Sequence, residues 1–353
     1  MKSEMTHRER ILAAINHQPT DRVPMDFWGV PEITERLMLH FGVSDLIGLA
    51  KALDIDMIMV IEPPLKPGRR NMWDIEMKKV PLLSGAGYYE EPVRHPIGGF
   101  ETIGEIEAHY VWPTTDMFDY SGVKSQCKMY REEGFAIEGG YISLTYYYEM
   151  VRGIEQMLYD MVADEELAAY VFYKINEFAS NHMHRILEEA DGLVDIVQVT
   201  DDLGTQQGLM FSLKMIEQFL GKYYDENVEL GKAYNAKVFH HNDGAIFEAI
   251  PWVIDKGCQI LNPLQWHLPG WDIDVLKKEY GKQLCFHGGI DNQHVMPFGS
   301  VEDVKTEVKT CIDALYSDRT GYILAPCHRL QSITQIENII TMYDYAREYS
   351  LRI

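Results

Sequence analysis

The chain has 353 residues, with 32 basic side chains (Lys and Arg) against 54 acidic ones, a net charge of −22. That balance excludes nucleic acid as a partner, because phosphate binding needs clustered basic groups, and it disfavours an anionic membrane surface. The length suits two average domains or one large barrel, and the 46% hydrophobic content is that of a folded chain rather than a disordered one.

The first 24 residues are polar and helix-like, without the apolar core of a signal peptide, and no later stretch approaches 18 consecutive apolar residues. Five cysteines (Cys127, Cys258, Cys285, Cys311 and Cys327) are scattered and odd in number, which is no disulfide framework. These features lead us to expect the cytoplasm and no membrane span.

Eight short apolar runs follow one another along the chain. They are Val23–Trp28, Met57–Ile61, Phe135–Glu138, Asp195–Thr200, Lys237–His241, Gln259–Pro263, Leu284–His287 and Tyr322–Pro326. Amphipathic stretches of helical length lie between most of them, including Ile154–Val162, Glu165–Ala190, Leu213–Tyr234 and Val301–Leu315. Runs too short and too apolar to alternate, separated by helices, predict parallel strands covered on both faces. Eight of them predict an α/β fold made of a single (β/α)8 TIM barrel over residues 1–353. The segment from 63 to 134 is too long for one βα unit and is broken by Pro63, Pro64, Pro67, Gly68, Gly85 and Gly87. Met72–Val80 and Tyr88–Val93 predict a hairpin inserted after the second strand, either a lid over the site or a plain surface hairpin.

Catalytic side chains of a barrel come from the C-terminal ends of its strands, so the polar residues closing each run are the candidates. These include Asp26, Glu62, Asp201 and Asp202, then His240, His241 and Asp243, then Asn262, Gln265, His287, Asp291, Cys327 and His328. In the fifth run, a period of two puts Phe239, His241 and Asp243 on one face and His240 on the other, and Gly244 lets the chain turn away at once. His241 and Asp243 therefore suit one metal ion, with Cys327 adding a thiolate and a fourth position open, the pattern of catalytic zinc. A hydrogen-bonded His–Asp pair and a core cysteine are the plainer readings of the same residues. Cys258 and Cys285 read as structural, Cys127 and Cys311 as helix packing. Trp28, Tyr146, Tyr147, Tyr148 and Trp266 are candidates for an aromatic pocket.

The segment Arg8–Pro24, with Asp201–Gln206, Gly257–Gln265, Gly288–Asp291, Gly321–His328 and Glu337–Ile340, resembles the uroporphyrinogen decarboxylase superfamily in consistent order from residue 8 to about 347. The family fold is a (β/α)8 barrel. True uroporphyrinogen decarboxylases carry an arginine-rich segment after the first strand, where this chain reads Asp26–Glu32 without an arginine. An acidic rim there would repel a poly-anionic porphyrinogen. The branch that works with corrinoid proteins holds zinc by a His-x-Cys pair after the fifth strand and a cysteine after the eighth. His241 and Cys327 stand at those positions, and Asp243 replaces the first cysteine. Glu149 and Glu62 are reserve ligands, since some members of that branch use a glutamate.

The resemblance thus implies a zinc-dependent methyltransferase or demethylase that moves a methyl group between a small methylated ether or amine and a corrinoid protein carrying cobalamin. The expected zinc ligands are His241, Asp243 and Cys327, with Glu62, Asp202, Asp291 and His328 in catalytic roles. A lyase that decarboxylates a porphyrinogen or a smaller carboxylic acid is the alternative. The sequence leaves the oligomeric state open, a homodimer included.

Overall fold

The computed structural model describes residues 5–81 and 88–352. Seven parallel strands form one curled sheet in the order β1 (Met59–Ile61), β4 (Ile137–Ser143), β5 (Ile196–Thr200), β6 (Lys237–His241), β7 (Ile260–Asn262), β8 (Cys285–Ile290) and β9 (Tyr322–Pro326). A separate antiparallel pair, β2 (Met77–Pro81) and β3 (Tyr88–Pro92), is inserted after β1.

The first expected strand, Val23–Trp28, is not a regular strand, yet it bonds to both edges of the sheet. On one side Met25 O accepts the N–H groups of Asp56 and Met57; on the other the Asp26 N–H donates to Leu324 O and the Leu324 N–H to Pro24 O. Side chains break the ladder here. The Asp26 carboxylate takes the Ile58 N–H at 2.8 Å, and Asp56 takes the Met25 N–H at 2.9 Å. Of the other seven expected runs, five each contain one of the sheet's strands, and Phe135–Glu138 and Leu284–His287 overlap the starts of β4 and β8, which run on to Ser143 and Ile290.

Inward side chains of the strands meet in one apolar layer made of Ile58, Ala136, Ile196, Phe239, Ile260, Cys285 and Ile323. The helix His7–Ile15 closes this layer from below with Ile11, Ala14 and Ile15. Burying an Ile or Phe side chain fully is worth about 1.5–3 kcal/mol, so this end is a packed floor and not a channel. Beneath it, buried Asp56 is paired with Arg10 and Arg22. Chemistry is thereby confined to the opposite end, where the strands finish.

Several expected boundaries shift for local reasons. The hairpin's first strand starts at Met77, because Asn71 Oδ1 accepts the Trp73 and Ile75 N–H groups and holds 71–75 in a turn. Its tip, residues 82–87 with Gly85 and Gly87, lies outside the described residues. Gly139 and Gly140 form a bulge inside β4, where the register with β5 shifts between Glu138 and Tyr141. Gly140 has φ +95°, and a Cβ there would meet Met183 Cγ at 2.4 Å, so glycine is required. The expected Leu213–Tyr234 helix is interrupted by a π turn at Glu217–Gly221, whose Glu217 carboxylate binds Trp252 and Lys256. No helix among the described residues is long and apolar enough to cross a membrane.

Candidate metal centre

At the C-terminal end of β6 the strand parity is as the sequence indicates. Phe239 packs into the interior layer, whereas His240 points outward, with its ring 5.8 Å from that of Tyr224. His241 faces inward beside Trp28, ring centroids 5.5 Å apart. The chain then turns at Gly244, φ +96°, where a Cβ would lie 2.6 Å from the Gly204 backbone. Asp243 is held in place by its own N–H, which donates to Asp202 Oδ1 at 2.8 Å.

His241, Asp243 and His328 each offer a ligand atom, all within 4.8 Å of one another. His328 Nε2 lies 3.6 Å from Asp243 Oδ2, and the two imidazole centroids are 5.5 Å apart. Asp243 Oδ1 is buried without a hydrogen-bond partner among the described residues. Burial raises the Asp243 carboxyl above its ordinary range, against the opposing pull of His241. Burial, followed by the neighbouring His241, pushes His328 down to about 4, which keeps its imidazole neutral and its lone pair available near neutral pH.

The ring of His241 is anchored by a chain of hydrogen bonds. Its Nδ1 lies 2.6 Å from Asn262 Oδ1; Asn262 Nδ2 lies 2.7 Å from His287 Nδ1; His287 Nε2 lies 3.0 Å from Asp26 Oδ2. Only one set of donors satisfies all three contacts with neutral rings. His287 Nε2–H donates to the carboxylate, the Asn262 amide to His287 Nδ1, and His241 Nδ1–H to the amide oxygen. That tautomer leaves the His241 Nε2 lone pair free, the arrangement in which second-layer partners orient a metal-binding histidine. An orphaned carboxylate oxygen, a neutral second imidazole and a pre-oriented first one together fit a divalent ion of the zinc type.

Cys327 does not join this group. The extended geometry of β9 ends at Pro326, so strand parity no longer governs Cys327, and its Sγ turns outward to donate to Leu264 O at 3.3 Å. Burial, with Cys311 beside it, holds that thiol well above its ordinary range. His328 occupies the place the sequence suggested for the cysteine. Asp291 is also elsewhere, its carboxylate accepting the Gln293 and His294 N–H groups in the loop after β8. Glu149 and Glu62 are not in the triad. Glu149 lies in electrostatic range of Asp202 and Glu62 in range of Tyr147, across the mouth. Asp202 links the two sides through its bond to Asp243.

Two of the expected pocket aromatics serve the scaffold. Tyr148 is buried with its hydroxyl on Asp160 Oδ2 at 2.7 Å, and Trp266 Nε1 donates to Gly289 O at 2.8 Å. Conversely, the roles of Asn262, His287 and Asp26 had no signal beyond their polarity at strand ends. Glu138 and Gln198, joined at 3.1 Å inside the sheet, were visible only as polar residues in apolar runs. Burial pushes Glu138 up to about 8.

The family model described as uroporphyrinogen decarboxylase (URO-D) matches residues 138–349. Among solved structures, a methyltransferase from Methanosarcina mazei is similar over 98% of this chain and 99% of its own, with TM-score 0.70 and 17% sequence identity. That likeness is one of fold. A B12-independent methionine synthase from Shewanella sp. W3-18-1 in complex with selenomethionine is similar over 78% of this chain and 74% of its own, at 10% identity and TM-score 0.44. No curated protein sequence matches the chain. With the family model covering well over half of its length, the chain belongs to the uroporphyrinogen decarboxylase family.

Proposed function

We propose that this chain is a metal-dependent methyltransferase that exchanges a methyl group between a small methylated ether or amine and a corrinoid protein. The observation that carries the reading is the meeting of His241, Asp243 and His328 at the open end of the sheet. The similarity in fold to a methyltransferase supports it.

His241, Asp243 and His328 would hold zinc, with Asp202 fixing the backbone under Asp243. When bound, the ion would supply Lewis acidity toward an oxygen or nitrogen of the substrate, and the corrinoid partner would supply the nucleophile for the methyl group. Trp28, in contact with His241, His287 and His328, shields the triad's inner side from water. We take the β2–β3 hairpin as a cover for the mouth. Its Tyr88 hydroxyl donates to Glu32 Oε1 at 2.7 Å, and its Glu90 and Glu91 lie in electrostatic range of Tyr146 and Glu149. The lyase alternative has less support, because a poly-anion needs several basic partners and Asp26–Glu32, where the decarboxylases carry arginines, has none.

The test is methylation of reduced cobalamin by a panel of methylated ethers and amines, followed by its absorption spectrum. Methylation that depends on the zinc-loaded protein supports the reading. Decarboxylation of a porphyrinogen by the metal-free protein, without cobalamin methylation, would overturn it.

A further inference from the structure

Beside the triad lies a second group of side chains that the metal does not use. Tyr141 at the β4 bulge and Tyr146 on the helix Leu144–Arg152 are 37% and 41% exposed, yet burial raises both phenols above their ordinary range. Surface that is reachable by solvent while hemmed in by protein is the wall of a recess. Between them Tyr147, only 6% exposed, has its ring 5.9 Å from Tyr141 and 5.8 Å from Tyr146. No described residue bonds its hydroxyl, which lies in electrostatic range of Tyr141, Tyr146 and Glu62. Asp202 is in electrostatic range of Tyr141, Tyr146, Glu149 and His328, so the recess and the triad share one wall.

Charge then selects the guest. Glu62, Glu149, Asp202 and the hairpin's Glu90 lie in electrostatic range of these tyrosines and Glu91 in range of Glu149, and burial raises the Glu149 carboxyl, with Asp202 adding to the shift. The opposing cations are Arg329 and, when protonated, His95. Aromatic faces combined with unneutralised carboxylates repel anions and leave neutral groups indifferent, whereas a dispersed cation gains from both.

We propose that the tyrosine recess binds a methylated ammonium group, which makes the substrate a methylated ammonium compound rather than an ether. Within the methyl-transfer reading, on which this extension rests, the charge has a chemical use. A four-bonded nitrogen loses its methyl group by breaking the N–C bond with the electron pair left on nitrogen; the methyl passes to the partner's nucleophile and a neutral amine remains. The triad is left for a lone-pair donor elsewhere on the same molecule.

Binding is tested without metal, cobalamin or turnover, so its outcome is separate from that of the methyl-transfer assay. Tetramethylammonium is titrated into the metal-free full chain by calorimetry, beside tert-butanol as an uncharged probe of similar shape and acetate as an anion. Tetramethylammonium should bind at least tenfold more tightly than either. Tyr146→Leu and Glu149→Gln, both partly exposed and tolerable to the fold, should each weaken it at least fivefold, whereas Tyr147→Phe, which keeps the ring, should change it less than twofold. Equal binding of tert-butanol, absence of tetramethylammonium binding, or full affinity in both Tyr146→Leu and Glu149→Gln would overturn the proposal.

Discussion

Replacing Asn262 by leucine keeps the branched four-atom skeleton of its side chain and removes the amide whose hydrogen bonds join His241 to His287. Two ring nitrogens lose their partner. His287 is completely buried and bears the full cost of an unsatisfied polar group, about 1–3 kcal/mol; half-buried His241 can turn toward water and bears less. The fold should therefore lose about 2–4 kcal/mol. The second consequence concerns the metal. Without the amide oxygen, nothing holds the proton on His241 Nδ1, and loss of such a partner typically lowers metal affinity 10–100-fold, or about 1.4–2.7 kcal/mol. Zinc affinity would be read by competition with a chromophoric chelator and stability by urea unfolding of the metal-free protein. Gln198→Leu is the control, since it breaks a buried hydrogen bond to Glu138 inside the same sheet but touches no member of the chain to His241. An Asn262→Leu protein with wild-type zinc affinity, or a Gln198→Leu protein with an equal loss, would refute the role given to the chain.

The opposite end of the sheet should be energetically separate: Asp56→Asn removes the buried carboxylate shared by Arg10 and Arg22, which keep Asp21 and Asp54 as partners, and should cost about 1.5–3 kcal/mol in urea unfolding, while zinc affinity stays unchanged. Burial pushes His182 down to about 4, where its ring stacks against Phe178 and accepts the Tyr120 hydroxyl at 2.6 Å. Because the unfolded ring takes its proton near pH 6.5 and the folded one does not, this contribution is complete above that pH and is lost as pH falls to about 4, up to about 3 kcal/mol. His182→Phe should flatten the pH dependence of the melting temperature between those values; an unchanged slope would show that His182 is not its source.

The strands were legible because their signal is local and repeated: seven short apolar runs became the sheet, and the period of two set His241 inward and His240 outward. Val23–Trp28 was legible as a segment but not as an irregular one, because the carboxylates that interrupt its ladder lie at Asp26 itself and 31 residues away at Asp56. The group at the rim includes His328 rather than the expected Cys327, where the chain has already left the strand. The bonds from Asp26 to His287 to Asn262 span 261 and 25 residues, and no spacing rule connects positions that far apart. Tyr141 escaped notice for a similar reason, since its aim is set by a bulge that two glycines permit but do not announce.

Zinc content after dialysis against a weak chelator, measured by elemental analysis on the wild type and on the Cys327→Ser, His241→Ala and His328→Ala proteins, addresses the centre of the account. Bound zinc in the wild type and in Cys327→Ser, with none in either histidine variant, is the result expected from a centre built by His241, Asp243 and His328. Zinc lost from Cys327→Ser and kept in His328→Ala would contradict it.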